Sequence, residues 1–168
     1  MIVLALTASG CGYALAGRGS FLPDYIRVVG IPPVENRTSV PVEQVLTERI
    51  RSEFIGRGAY VVRPDSTGAD AVLTSEVTAI SVQPVGFNEQ QLGSRYLITL
   101  TMRVQFTETR TNDVLWSNDA LTFREQYELS ARTGTVEAAT FFDQERSSLE
   151  RISADIARTV VTAILEAF

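Results

Sequence analysis

The 168-residue sequence predicts an α+β domain. Its expected architecture is a single mixed/antiparallel sheet of about four to five strands with two helices packed on one face. Three observations carry this. Two segments, one early and one at the end, repeat apolar residues at helical spacing along a single stripe. Between them, residues 96–107 alternate apolar and polar without a break, the signature of a strand with one face on a core and one in a polar setting. The order is strand, helix, strand, then a meander of strands and a closing helix, which brings one-striped helices against a one-faced sheet.

The first residues stand apart from that domain. Met1 to Leu6 are apolar, Thr7-Ala8-Ser9-Gly10 are small, and Cys11 is the only cysteine. The pattern reads as the end of a secretory signal (residues 1–10) whose product begins at an acylated Cys11. Its missing basic n-region points to a start further upstream. The alternative is a buried thiol behind an apolar N-terminal strand. Residues 11–24 are Gly-rich and aperiodic, a tether, and residues 25–168 form the single domain.

Ile26 to Ile31 is a short strand stopped by Pro32-Pro33, and residues 34–40 read as loop. Pro41 suits a first helical turn, after which Val42, Val45, Leu46, Ile50 and Phe54 recur at helical spacing. Gly56 and Gly58 are expected to end that helix in the left-handed conformation. Tyr60-Val61-Val62 is a second short strand, joined to the first by a right-handed parallel crossover. Residues 71–83 mix Val and Thr densely as a third strand. In residues 96–107, Tyr96, Ile98, Leu100, Met102, Val104 and Phe106 face one side, and Thr99, Thr101, Arg103, Gln105 and Thr107 the other. Thr111-Asn112-Asp113 is a turn, so residues 96–127 form a hairpin with Leu121, Phe123 and Tyr127 on the inward face. From about residue 143 to 167, Leu149, Ile152, Ile156, Val160, Ile164 and Phe168 make one stripe, with Arg151 and Asp155 paired at i, i+4.

Composition removes several classes of function. The net charge of -5 lacks the basic footprint that nucleic-acid binding needs. There is no His, which excludes His-based catalysis and His-ligated metals. No nucleotide loop, zinc spacing or nucleophile elbow occurs. Asp65, Asp70 and Glu76 read as a solvated strand edge, and Trp116 as a packing residue. The sequence therefore predicts no catalytic residue, no metal site and no cofactor.

Four stretches together resemble a known family. They are Cys11-Gly12-Tyr13 with Leu15-Ala16-Gly17, the run Ile31-Pro32-Pro33-Val34-Glu35-Asn36-Arg37-Thr38, the hairpin Thr109 to Trp116, and Phe141-Phe142-Asp143 through the last helix. In this order they are similar to the lipopolysaccharide-assembly lipoprotein family (LptE). The resemblance implies a non-enzymatic outer-membrane lipoprotein on the periplasmic face, held in the membrane by its N-terminal lipid. It would plug and help assemble the β-barrel lipopolysaccharide translocon and bind lipopolysaccharide. In that setting Thr99, Thr101, Arg103 and Gln105 are the candidate partner-facing residues, and Arg95 and Arg110 the candidate ligands of lipopolysaccharide phosphates. Activators of peptidoglycan synthases share parts of the pattern and form the alternative reading.

Overall fold

Alternation along one long strand organises the molecule. A computed structural model describes residues 22–58, 60–87, 93–128 and 138–168, with side chains of the last segment described from Arg146 onward. In chain order the elements are β1 (Val28–Gly30), β2 (Glu35–Asn36), α1 (Glu43–Arg57), β3 (Val61–Arg63), β4 (Ala71–Phe87), β5 (Gly93–Glu108), β6 (Val114–Glu128) and α2 (Ala138–Leu165). The sheet order is β3-β1-β4-β5-β6, with β2 paired to β4. β1 lies parallel to β3 and β4, and β2 parallel to β4. β4, β5 and β6 form the antiparallel meander.

The mixed sheet is as expected, with one strand more. β2 lies in the segment read as loop. Pro32-Pro33 breaks the ladder after β1, and the chain then resumes on the same edge of β4: β1 reaches Ala71 and Val72, β2 reaches Glu76 and Val77. Two prolines hide that continuity, because neither can donate to a ladder.

On β5, Ile98, Leu100, Met102, Val104 and Phe106 are fully buried. Both helices cover this face. Leu46, Ile50 and Phe54 of α1 are buried on it, and the Phe54 ring lies 6.5 Å from that of Phe106. Ile152, Ile156, Val160 and Ile164 of α2 complete the same core. Each such side chain contributes roughly 1.5–3 kcal/mol on leaving water. Two polar contacts fix the helices. Arg57 Nη2 donates to Thr162 Oγ1 at 2.9 Å, joining the helix ends, and Arg151 Nε donates to Glu125 Oε1 at 2.9 Å, joining α2 to β6.

Several local expectations are corrected. Gly56 lies within α1, and Gly58 follows it in extended backbone (φ -173°), not in the left-handed region. Arg151 pairs with Glu125 rather than Asp155, which pairs with Arg158. α2 begins at Ala138, earlier than expected. Phe168, past its end, is exposed rather than part of the stripe. No helix among the described residues is long and apolar enough to cross a membrane.

Candidate functional site

The second face of the sheet carries no helix. Period-two geometry lines up Arg95, Leu97, Thr99, Thr101, Arg103, Gln105 and Thr107 along β5. β6 sets Thr122 beside Thr101, Arg124 beside Thr99 and Glu128 beside Arg95. β4 sets Ala79 beside Thr101 and Ser81 beside Thr99. The middle of the face is therefore mostly short hydroxyl and methyl side chains, with Arg124 as its one charge. Thr101 and Thr122 bring their hydroxyls to 3.4 Å, and Gln105 Nε2 donates to Thr107 Oγ1 at 3.2 Å.

Apart from Arg124, charge collects at two places on this face. In the first, a chain of ion pairs runs from the turn after β2 across three strands: Arg37 to Glu76, Glu76 to Arg103 at 3.2 Å, Arg103 to Asp119 at 3.5 Å. Glu76 is the buried member, only 9% exposed, so its carboxylate depends on the two guanidiniums that flank it. Asp119 reaches Arg103 because β6 bulges there: Met102 faces Leu121, but Val104 faces Asn118. Pro32, Pro33 and Glu35 on one side and Thr74 and Gln105 on the other wall a shallow groove of about 240 Å³ over this cluster.

Asn36 positions Arg37. Its Nδ2 donates to Val40 O and Glu43 Oε2, both at 2.8 Å, while its Oδ1 accepts from the Thr38 N–H at 2.9 Å. This closes the turn between β2 and α1. The same network, with backbone N–H groups at the start of α1 as the larger cause, holds the Glu43 carboxyl below its ordinary pKa. The Glu-Asn-Arg-Thr run thus has a mechanical use: Asn36 folds the turn, and Arg37 crosses to Glu76.

The second place is the far end of β5. There Arg95 lies on the same face, paired loosely with Glu128 at 3.5 Å. Gly86 opposite leaves it room, since a Cβ there would come within 3.0 Å of the Arg95 Cβ. Arg110 is elsewhere. It stands in the β5–β6 turn, pairs with the buried Glu108 at 3.2 Å, and lies 5.6 Å from the centre of the Tyr25 ring. The strand from Arg95 to Glu108, thirteen residue steps, separates the two arginines by roughly 40–45 Å, so one headgroup cannot engage both.

The structure therefore brings together Thr99, Thr101, Arg103 and Gln105 with Arg95 on one surface and leaves Arg110 at the opposite end. Cys11 lies outside the described residues. Sequence reasoning missed Arg37, Glu76 and Asp119. Glu76 was read as solvated, yet it is buried between two arginines; no signal for this exists before the register of β2, β4 and β5 is known. Asp70 was also read as a solvated edge, but its carboxylate accepts the Arg27 and Val28 N–H groups at 2.9 and 2.8 Å and closes the start of β1. Among the described residues no cluster of three or more acids or thiols has the disposition of a metal site.

Solved structures share this fold at low identity. Lipoprotein B from Nitrosomonas europaea is 11% identical, with a TM-score of 0.57 over 92% of this chain and 88% of its own. A minor lipoprotein from Acinetobacter baumannii is 16% identical, with a TM-score of 0.53 over 85% of this chain and 93% of its own. The rare lipoprotein B from Shewanella oneidensis is 12% identical, with a TM-score of 0.50 over 80% and 92%. At such identities the likeness establishes the fold alone. No curated protein matches the chain by sequence. The family model for lipopolysaccharide assembly, LptE, matches residues 26–164, from the strand before the double proline to the last turn of α2. The chain belongs to the LptE family of lipopolysaccharide-assembly proteins.

Proposed function

We propose that this protein is an outer-membrane lipoprotein, anchored through Cys11 on the periplasmic face, that plugs the β-barrel of the lipopolysaccharide translocon. It helps the barrel assemble and binds lipopolysaccharide in transit, without catalysis and without a cofactor. One observation carries the reading: three long strands present a helix-free face of Thr, Ser, Gln and paired charges, while both helices are confined to the other side. A large barrel has a wet, polar lumen. A face of short hydroxyl side chains fits such a wall closely, and most of its charges arrive already paired, which limits the cost of desolvating them.

Within this reading Arg95 shares the partner-facing surface and is held only by its 3.5 Å pair with Glu128, which places it to meet a lipid A phosphate. Arg110, on the other end, would meet one only where the ligand enters or leaves. Affinity purification from detergent-solubilised outer membranes tests the assignment. A large β-barrel protein is expected to accompany the tagged chain. Recovery of a peptidoglycan synthase in its place would overturn the reading. Replacing Arg95 and Arg110 singly with Glu separates their parts: a charge-assisted phosphate bond of about 1.5–3 kcal/mol lost at either position weakens lipopolysaccharide binding about tenfold or more. Unchanged binding in both variants would remove the ligand role from these arginines.

A further inference from the structure

Seven large apolar side chains are exposed among the described residues, and they occupy only two places. Val85 and Phe87 lie at the tip of the β4–β5 hairpin. The other five, Tyr25, Ile55, Val61, Val114 and Phe168, are each at least half exposed and share the opposite end. There β1, β3, β4 and β6 begin, β5 ends and both helices finish. The contacts place them at the same end of the fold. The Val61 N–H donates to Arg27 O at 2.8 Å. Tyr25 lies against Arg110 in the turn that leads into Val114. Arg57, two residues past Ile55, reaches Thr162 near the end of α2. Single exposed apolar residues are ordinary, but five spread over one end, from edge strand β3 to edge strand β6, make that end apolar.

The N-terminal segment enters at this end. Leu22 is buried here, with its N–H directed to the Tyr60 hydroxyl at 3.4 Å. Cys11 precedes Leu22 by eleven residues, a span of at most roughly 36–40 Å. The hairpin tip is further off, because β4 alone extends roughly 55 Å from its first residue.

We infer that this end is a membrane-resting surface, whose apolar side chains settle at the boundary of headgroups and acyl chains in the leaflet that holds the protein. The inference rests on the reading of Cys11 as the anchor. An anchor eleven residues away keeps this end, and not the tip, at high local concentration over the bilayer, so a contact too weak for a free domain becomes populated. Tyr25 with Arg110 stacked on it has the amphipathic character that suits the interface. Arg27, Arg57 and Arg110 stand here beside Asp24, Asp113 and Glu166, so the surface has no basic excess. The contact is therefore apolar and insensitive to salt and to the fraction of anionic lipid.

The test places a genetically encoded fluorescent amino acid at 61, 114, 101 or 87 in the full acylated chain. Each protein is reconstituted in phosphatidylethanolamine–phosphatidylglycerol vesicles carrying a nitroxide on the lipid headgroup. Positions 61 and 114 are expected to be quenched several-fold more than 101 and 87, equally at low and high salt. Replacing Val61 and Val114 together with Asp leaves the melting temperature unchanged and relieves quenching of a label at 168. Strongest quenching at 87, or equal quenching at all positions, would overturn the inference. Intact-mass analysis shows separately whether Cys11 is acylated. If it is not, the anchor reading fails, and the same chain coupled through its single thiol to a maleimide phospholipid still decides whether this end seeks the bilayer.

Discussion

Thr47 illustrates how single polar atoms hold this fold. It sits on the buried stripe of α1, where its hydroxyl accepts the Val34 N–H at 2.9 Å and donates to Glu43 O at 2.6 Å. Thr47→Val keeps the shape and strands a buried N–H, so a loss of about 1–3 kcal/mol is expected in urea unfolding. A midpoint equal to the parent's would show that water satisfies Val34 instead. Asp70 makes a second test. The Val28 and then the Arg27 N–H groups hold its pKa below the ordinary 3.8. Because the folded state depresses this pKa, the stabilisation is complete above that ordinary value and is lost as pH falls through the lower, folded one. Asp70→Asn removes the titration, so its melting temperature should lie below the parent's at neutral pH, with the gap closing under acid. A gap constant with pH would contradict the assignment. Neither residue was legible in the sequence as a structural hub, since Thr47 and Asp70 act on backbone N–H groups 13 and 42 positions away.

At the scale of elements, the regular alternation of β5 was legible and that of β4 was not, for a physical reason. Ala71, Leu73, Ser75 and Val77 point to the core, but Val77 pairs with Met102 while Ala79 pairs with Thr101. Thr78 is the extra residue of a bulge, after which Ile80 and Val82 take over the inward face opposite Leu100 and Ile98. A parity change in mid-strand erases a period-two signal. It also sets Glu76 outward, where Arg37 and Arg103 meet it. Deleting Thr78 would remove the bulge and leave β4 alternating in unbroken register with β5, so cooperative thermal unfolding is expected to persist; loss of the cooperative transition would show that the extra residue is not a simple bulge. The helices were legible because each has one stripe. Ile156→Asp buries an unpaired charge in that stripe and should cost on the order of 3–5 kcal/mol, whereas Thr101→Asp on the open face should be tolerated by the isolated domain. Equal melting temperatures would reverse the two faces.

The whole molecule is a one-sided sandwich: two helices on one face of a sheet, and on the other a polar surface crossed by the Arg37–Glu76–Arg103–Asp119 chain. The alternation of β5 made that second face visible in the sequence. The ion-pair chain was not visible, because its members come from a turn and from three strands whose register depends on two bulges. A sheet face built only for solvent would gain nothing from a buried carboxylate held between two arginines, whereas a docking face keeps its charges neutralised and fixed. The central claim is that this face meets the partner. Photo-crosslinking amino acids at 99, 101 and 105, with a control at exposed position 158 on α2, test it in intact cells. The three sheet positions are expected to capture the inner wall of an outer-membrane β-barrel and position 158 to capture it weakly or not at all. Capture of the barrel from 158 but from none of the sheet positions, or of a peptidoglycan synthase from the sheet, would contradict the account.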